Sequence, residues 1–315
     1  MVLGFPLLRR HQLLAHGTFL SMGFLSFIFI FSLVKDFFLL MGLSLPGDWV
    51  YVASALTVIL GTVIAHCGPV VVKLKLPIAD LPEALNGLKI IQISDLHVGP
   101  TIGKNYVQKI VDATNALEGD IIALTGDIGD GPVGNHRDDV APLSKLVSKL
   151  GVFYVPGNHE YYWNANEWMN VMNNLKAIVL LNRGKKLEHN GASVYIGGVS
   201  DPAGHPKPDP HSVHETGREA DFKILLSHRP GLAPEAAALG FHLQLSGHTH
   251  GGQFFPWTLA VRFAHKHFAG HYYIESMWLN VNTGTGSWGP FLRLGTRTEI
   301  TQIEIFSSGK SLDKF

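Results

Sequence analysis

Five short polar motifs occur in a fixed order: Asp95-Leu96-His97, Gly126-Asp127, Gly157-Asn158-His159-Glu160, Ser227-His228 and Gly247-His248-Thr249-His250. Their side chains offer carboxylate and amide oxygens and imidazole nitrogens but no sulfur, a donor set that suits Mn²⁺, Fe or Zn²⁺. Two divalent ions held close together repel each other unless an anion lies between them, and Asp127 is the expected bridge. Asp95 and His97 alternate along an extended segment and can reach one ion. His248 and His250 repeat that spacing, so one loop can feed both ions, and Asn158 and His228 complete the shell of the second.

Two carboxylates offset about half the charge of two such cations. The remaining positive charge attracts phosphate and acidifies a water between the ions, and the resulting hydroxide is the expected nucleophile for phosphoester hydrolysis. His159 adjoins Asn158, and neighbouring side chains usually diverge. Its expected role is therefore to protonate the leaving oxygen or to stabilise phosphoryl charge. Asp130 and Glu160 are expected to orient the ligand or catalytic imidazoles. Singly, each motif is commoner as structure than as chemistry; it is their joint occurrence, in order and past strand ends, that points to a site.

To share one cleft, the motifs must sit at the ends of neighbouring strands. Leu88 to Ile93 and Ile121 to Leu124 are compact apolar runs that lead into motif residues, which predicts buried strands. Between them, Val107, Ile110 and Val111 recur at helical spacing within Lys104 to Leu117, giving a parallel strand-helix-strand unit. The pattern repeats with Val140 to Leu150 as helix, Val152 to Val155 as strand and Asn164 to Leu175 as helix. Further strands are predicted at Ala177 to Leu181, Ser193 to Gly197, Phe222 to Leu226, Phe241 to Leu245, Tyr272 to Ile274, Trp278 to Val281 and Ile300 to Ile305, with a helix at Ala233 to Leu239. Asp201 to His214, rich in proline and carrying His205, His211 and His214, reads as a solvated loop on the substrate side rather than a further metal site.

The N-terminal part has a different character. A hydrophobic content of 46% with a mean hydropathy of +0.16 is high for a wholly soluble chain. His11 to Val34 and Trp49 to Val72 contain no Asp, Glu, Lys or Arg, and each is long enough to cross hydrocarbon as a helix. With the turn Pro46-Gly47-Asp48 between them, they predict a transmembrane helical hairpin over residues 1–76. A linker from Leu76 to Gly87, with Pro77 and Pro82, leads into a catalytic domain over 77–315. Arg9, Arg10, Lys73 and Lys75 flank the apolar runs, and the positive-inside tendency places the catalytic domain in the cytoplasm. Reading Arg9-Arg10 as an export signal would instead place it on the external face.

The chain carries 25 basic and 25 acidic residues, so no bulk attraction to nucleic acid is expected. Cys67 is the sole cysteine, which excludes an intrachain disulfide and a thiolate cluster.

Together the five blocks resemble the calcineurin-like metallophosphoesterase family, whose motifs are D-x-H, G-D, G-N-H-D/E, H and G-H-x-H, over Leu88 to Phe306. Glu160, Gly251-Gly252-Gln253 and the tail from Gly284-Thr285-Gly286 to Trp288-Gly289-Pro290 with Arg293 resemble the membrane-associated bacterial branch of that family. The resemblance implies an α/β fold of four layers, α/β/β/α, with two mixed sheets and the site at one edge. It also implies Asp95, His97, Asp127 and His250 on one divalent ion, Asp127, Asn158, His228 and His248 on the other, and His159 as the catalytic histidine.

The expected function is a membrane-anchored hydrolase of phosphomonoester, phosphodiester or pyrophosphate bonds. The anchor suggests a lipid-linked or nucleotide-sugar substrate. Phe254, Phe255, Trp257 and Leu259 follow the last motif and could touch an acyl chain, although core packing is the simpler explanation for them. A non-catalytic scaffold that keeps the fold is the competing reading, and the presence of His159 with every ligand opposes it.

Overall fold

The computed structural model describes residues 12–308, so Arg9 and Arg10 lie outside it. The described residues begin with helices α1 (Gln12–Leu40) and α2 (Trp49–Cys67). There follow β1 (Val70–Ile78), β2 (Lys89–Ile93), α3 (Lys104–Asn115), β3 (Ile121–Thr125), α4 (Val133–Val140), β4 (Gly151–Val155), α5 (Asn158–Trp163), α6 (Ala165–Asn174) and β5 (Ile178–Val179). The second half runs β6 (Arg183–His189), β7 (Ala192–Gly198), α7 (Pro210–Gly217), β8 (Phe222–Leu226), α8 (Ala233–Ala238), β9 (Leu243–Ser246), α9 (Trp257–Ala264), β10 (Gly270–Ile274), β11 (Met277–Val281) and β12 (Glu299–Ser307).

The strands form two six-stranded sheets, ordered β1-β12-β2-β3-β4-β5 and β10-β11-β9-β8-β7-β6. Both are mixed: β12 runs antiparallel to β2, and β6 and β10 run antiparallel to their neighbours. Ile90, Ile121, Phe153 and Val155 of the first sheet meet Val194, Ile224, Leu226 and Leu245 of the second in a dry central layer. The outer face of the first sheet is covered by α3, α4 and α6 through Val107, Ile110, Val140 and Trp168. Ala233, Ala236 and Val213 of α8 and α7 cover the second. The four layers are those expected.

Three local expectations change. The presumed linker begins inside a strand: β1 pairs in parallel with β12 from Val70↔Glu299 to Ile78↔Ser307, across residue 76. Pro77 is tolerated there because β1 is an edge strand and one row of its N–H groups needs no partner. The helix expected over Val140 to Leu150 is instead α4 followed by a 3-10 turn at Ala141–Lys145, since Pro142 can join a helix only in its first turn. Within the Pro- and His-rich segment, Pro210 begins α7 and the Asp209 carboxylate accepts the Ser212 N–H at 3.0 Å, a normal helix start.

The hairpin packs on the domain through Phe27 and Val58, which are buried against Phe254 and Leu292. The rings of Phe27 and Phe254 lie 5.6 Å apart. Gly61 permits this approach, because a Cβ there would stand 2.8 Å from Leu292 Cγ. Elsewhere α1 and α2 present Leu25, Phe29, Leu33, Leu56, Ile59 and Val63 to the outside. Only 11% and 28% of their most apolar windows are buried, so neither is the core helix of a soluble fold.

Candidate metal centre

Every sequence motif follows the carboxyl end of a parallel strand: Asp95 after β2, Asp127 after β3, Asn158 after β4, His228 after β8 and His248 after β9. This is where the loops of an open α/β sheet gather around a ligand. The strand ladder continues into the loops themselves. The N–H of Asp95 donates to Gly126 O at 3.0 Å and that of His97 to Asp127 O at 3.0 Å. Across the sandwich the Gly247 N–H meets His228 O at 2.9 Å. The two sheets are tied beneath the site by a buried amide chain in which Asn280 Nδ2 donates to Gln92 Oε1 at 2.8 Å. Gln92 Nε2 in turn donates to Ser246 O at 2.8 Å.

The glycines of the motifs mark close approach. A Cβ on Gly157 would lie 2.2 Å from Asp127 Oδ1, and one on Gly247 would lie 2.1 Å from Asp95 Oδ2. Asp95, His97, Asp127, His248 and His250 all hold left-handed backbone, with φ of 52°, 52°, 51°, 73° and 53°. Non-glycine residues pay for that conformation, and its concentration here is the signature of a site that the surrounding structure constrains.

Three groups of donors result, and within each the donor atoms lie inside 4.8 Å of one another: Asp95, His97 and His250; Asp127, His228 and His248; and His97, Asp130 and His159. His97 Nε2 stands 3.0 Å from His250 Nε2 and 3.8 Å from Asp127 Oδ2. His250 Nε2 lies 3.4 Å from Asp95 Oδ1. In the second group, His228 Nε2 lies 3.2 Å from Asp127 Oδ2. His228 Nδ1 meets the Thr125 carbonyl at 2.8 Å, and since a carbonyl only accepts, the proton sits on Nδ1 and Nε2 presents its lone pair. A lone pair facing a carboxylate at that distance needs a proton or a cation between them.

Asn158 opens α5 with its Oδ1 buried and without a hydrogen-bond partner, an orphaned acceptor of the kind that an ion satisfies. The residues present therefore fit divalent cations. Asp127 reaches toward the first two groups, its Oδ1 being held by the His159 N–H at 2.8 Å.

The ionisation of the cluster fits the same reading. Burial raises the Asp95 carboxyl. Burial also works against Asp127, but the charge and hydrogen bond of His228 hold it well below the usual carboxylate range. His228 is pushed up to about 10 by Asp127 against its own burial, whereas burial and the charge of His228 take His248 down to about 3. Carboxylates and imidazoles that trade protons in this way are positioned to exchange them for cations.

Asp130 lies against two imidazoles. Its Oδ1 accepts from His159 Nδ1 at 2.8 Å and from Trp163 Nε1 at 2.9 Å, and its Oδ2 lies 3.7 Å from His97 Nδ1. Glu160 differs. Its carboxylate accepts the backbone N–H groups of Asp127, Ile128, Gly129 and Gly157 at 3.0, 2.7, 3.0 and 2.7 Å, so it orients the loop that carries Asp127 rather than a ring.

The Glu160→Ala variant leaves these four buried donors unanswered at about 1–3 kcal/mol each before relaxation. A fall in unfolding free energy of about 3 kcal/mol or more is expected by chemical denaturation; a change below about 1 kcal/mol would show that water replaces the carboxylate.

Sequence reasoning gave Arg293 no part in the site. It is fully buried and spans the last ligand loop and the tail, donating through Nη1 to Thr283 O at 2.7 Å and to His250 O at 3.2 Å and through Nε to Ser287 Oγ at 3.1 Å. Its signals were its place in a Gly-, Thr- and Ser-rich stretch and in the tail that resembles related chains, neither of which gives it a contact. His205, His211 and His214 form no donor group among the described residues; His211 instead pairs with Glu235 at 3.2 Å.

Residues 88–252 match the calcineurin-like phosphoesterase family model. The chain belongs to that family. A cattle (Bos taurus) protein named transmembrane protein with metallophosphoesterase domain is 35% identical over 82% of this chain and 62% of its own length. Its zebrafish (Danio rerio) namesake is 32% identical over 80% and 61%. An uncharacterized metallophosphoesterase of Campylobacter jejuni is 31% identical over 72% and 61%. This chain thus spans about three fifths of the length of these relatives. Because animal chains stand beside bacterial ones, the likeness extends beyond the bacterial branch. The name shared by the animal relatives and the two apolar helices agree on membrane association.

Proposed function

We propose that this chain is a membrane-anchored hydrolase of phosphoesters that works with two divalent cations. The observation that carries the reading is the pair of donor groups, Asp95, His97 and His250 with Asp127, His228 and His248, together with the buried Asn158 oxygen that has no hydrogen-bond partner. Asp95, His97, Asp127 and His250 would hold one ion; Asp127, Asn158, His228 and His248 would hold the other. Once bound, such ions supply positive charge to the phosphoryl oxygens and acidify water.

The chain's own groups do the rest. Asp130 fixes His159 through Nδ1, which leaves Nε2 for the substrate. As the water oxygen bonds to phosphorus and the bond to the leaving oxygen breaks, His159 delivers a proton to that oxygen. Glu160 and Arg293 keep the Asp127 and His250 loops in register.

The hairpin over residues 1–76 is the anchor, with residues 77–315 forming the catalytic unit and β1 joining the two. Lys73 and Lys75, following the second helix, favour the cytoplasmic face. One experiment tests both halves of the reading. Membranes bearing the full chain are washed with alkaline carbonate and assayed with 4-nitrophenyl phosphate. Hydrolysis that stays in the pellet, disappears with chelator and returns with Mn²⁺ is expected. Release of the chain into the supernatant would overturn the anchor, and turnover indifferent to chelation would overturn the metal chemistry.

A further inference from the structure

One wall of the metal cluster belongs to the hairpin. A cavity of about 470 Å³, within the range of small-ligand sites, has His248 and His250 at one end. Its sides include Met22 and Ser26 of α1, Trp257 and Val261 of α9, and Trp288. Met22 and Ser26 lie inside the charge-free segment from His11 to Val34, so the stretch of α1 suited to hydrocarbon also encloses the space beside the ligands. The cavity therefore adjoins the bilayer wherever α1 enters it.

The second wall points the same way. Helix α9 has no buried residue, and Trp257, Leu259 and Phe263 are 48%, 47% and 89% exposed. Exposing such side chains to water is unfavourable relative to burying them. Arg262 accompanies them on the helix, and His265 and Lys266 follow it. Aromatic and aliphatic residues with adjacent cations are the composition of a helix lying in a lipid headgroup layer. Phe254, just before α9, packs at a tilt against Phe27 of α1, which places the start of α9 beside the hairpin.

We propose that the substrate is a lipid-borne phosphoester: its hydrocarbon tail occupies the cavity between α1 and α9, and its phosphate meets the cluster at His248 and His250. This rests on the hydrolytic reading of the site. The tail reaches the cavity sideways from the bilayer, and α9 holds the mouth at headgroup depth. A soluble sugar phosphate would gain little from the Met22 and Val261 walls, whereas a hydrocarbon tail there is removed from water.

The test uses the full-length chain in lipid nanodiscs loaded with Mn²⁺, and dodecyl phosphate bearing a diazirine near its tail end. After irradiation, label is expected on Met22, Ser26, Trp257 or Val261, displaced by unlabelled dodecyl phosphate but not by methyl phosphate. Filling the cavity with Val261→Trp, or with Met22→Trp from the other wall, is expected to cut that label about tenfold or more. Turnover of 4-nitrophenyl phosphate should stay within about twofold of wild type, which also shows that the variants fold.

Label confined to the outward face of the hairpin, or cavity label that survives both tryptophan variants, overturns the proposal. In the wild type, 4-nitrophenyl phosphate turnover without cavity label sinks this inference alone. Cavity label without any turnover sinks the hydrolytic reading instead.

Discussion

The Asp127→Asn variant is expected to hydrolyse 4-nitrophenyl phosphate about a thousandfold more slowly in kcat/KM than the wild type. The substitution keeps the shape of the side chain and an oxygen able to accept the His159 N–H, now 2.8 Å from Oδ1. What it removes is one full negative charge between two donor groups, at the atom 3.2 Å from His228 Nε2 and 3.8 Å from His97 Nε2. Losing about 4 kcal/mol of transition-state stabilisation corresponds to that factor. The loss should not be recovered by raising the substrate concentration. A rate equal to that of the wild type would mean that the carboxylate is structural and that hydrolysis, if seen, arises elsewhere.

His159→Ala gives the second large effect, and its pattern differs. The His159 side chain is only 14% exposed, its Nδ1 is taken by Asp130, and it stands against His97 with ring centroids 4.6 Å apart. It shares a donor group with His97 and Asp130, apart from the Asp95, His97, His250 group and the Asp127, His228, His248 group. Removing it should lower kcat by about 10²- to 10⁴-fold, the usual worth of a positioned acid, with little change in KM or in bound metal. A substrate with a leaving group that needs no proton should lose much less, since 4-nitrophenolate leaves more readily than an alkoxide. Loss of most of the metal from this variant would place His159 among the ligands, and an unchanged kcat on an alkyl phosphoester would remove it from the chemistry.

How far the sequence carried these conclusions depended on the kind of signal each residue left. The convergence of Asp95, His97, Asp127, His228, His248 and His250 was legible because their loops follow apolar strands, and strand ends in a parallel sheet gather at one edge. The strands themselves were legible where they are buried on both faces, as in β3 and β8. Strand β6 was not, since Arg183–His189 is a charged edge, and such edges are kept polar to prevent pairing with other chains. Nor was β1, whose Pro77 mimics a linker.

Roles that run through the backbone were the hardest to see. Glu160 looked like a partner for an imidazole because it sits in a motif with two metal-type neighbours, yet its four hydrogen bonds go to peptide N–H groups that no side-chain pattern reveals. Arg293 acts on carbonyls contributed by loops on both sides of the site, and Gln92 on residues more than thirty positions away in sequence. Phe254, first explained as core, is indeed buried, but its partners Phe27 and Val58 come from the hairpin, which no sequence spacing reveals.

The most direct test of the central claim is a count of metal. Full-length chain incubated with Mn²⁺, freed of excess ion and analysed by plasma mass spectrometry is expected to hold about two ions per chain, with Asp127→Asn holding one or none. A wild type that retains no more than a trace, or an Asp127→Asn protein that keeps as much metal as the wild type, would contradict a pair of cations sharing that carboxylate.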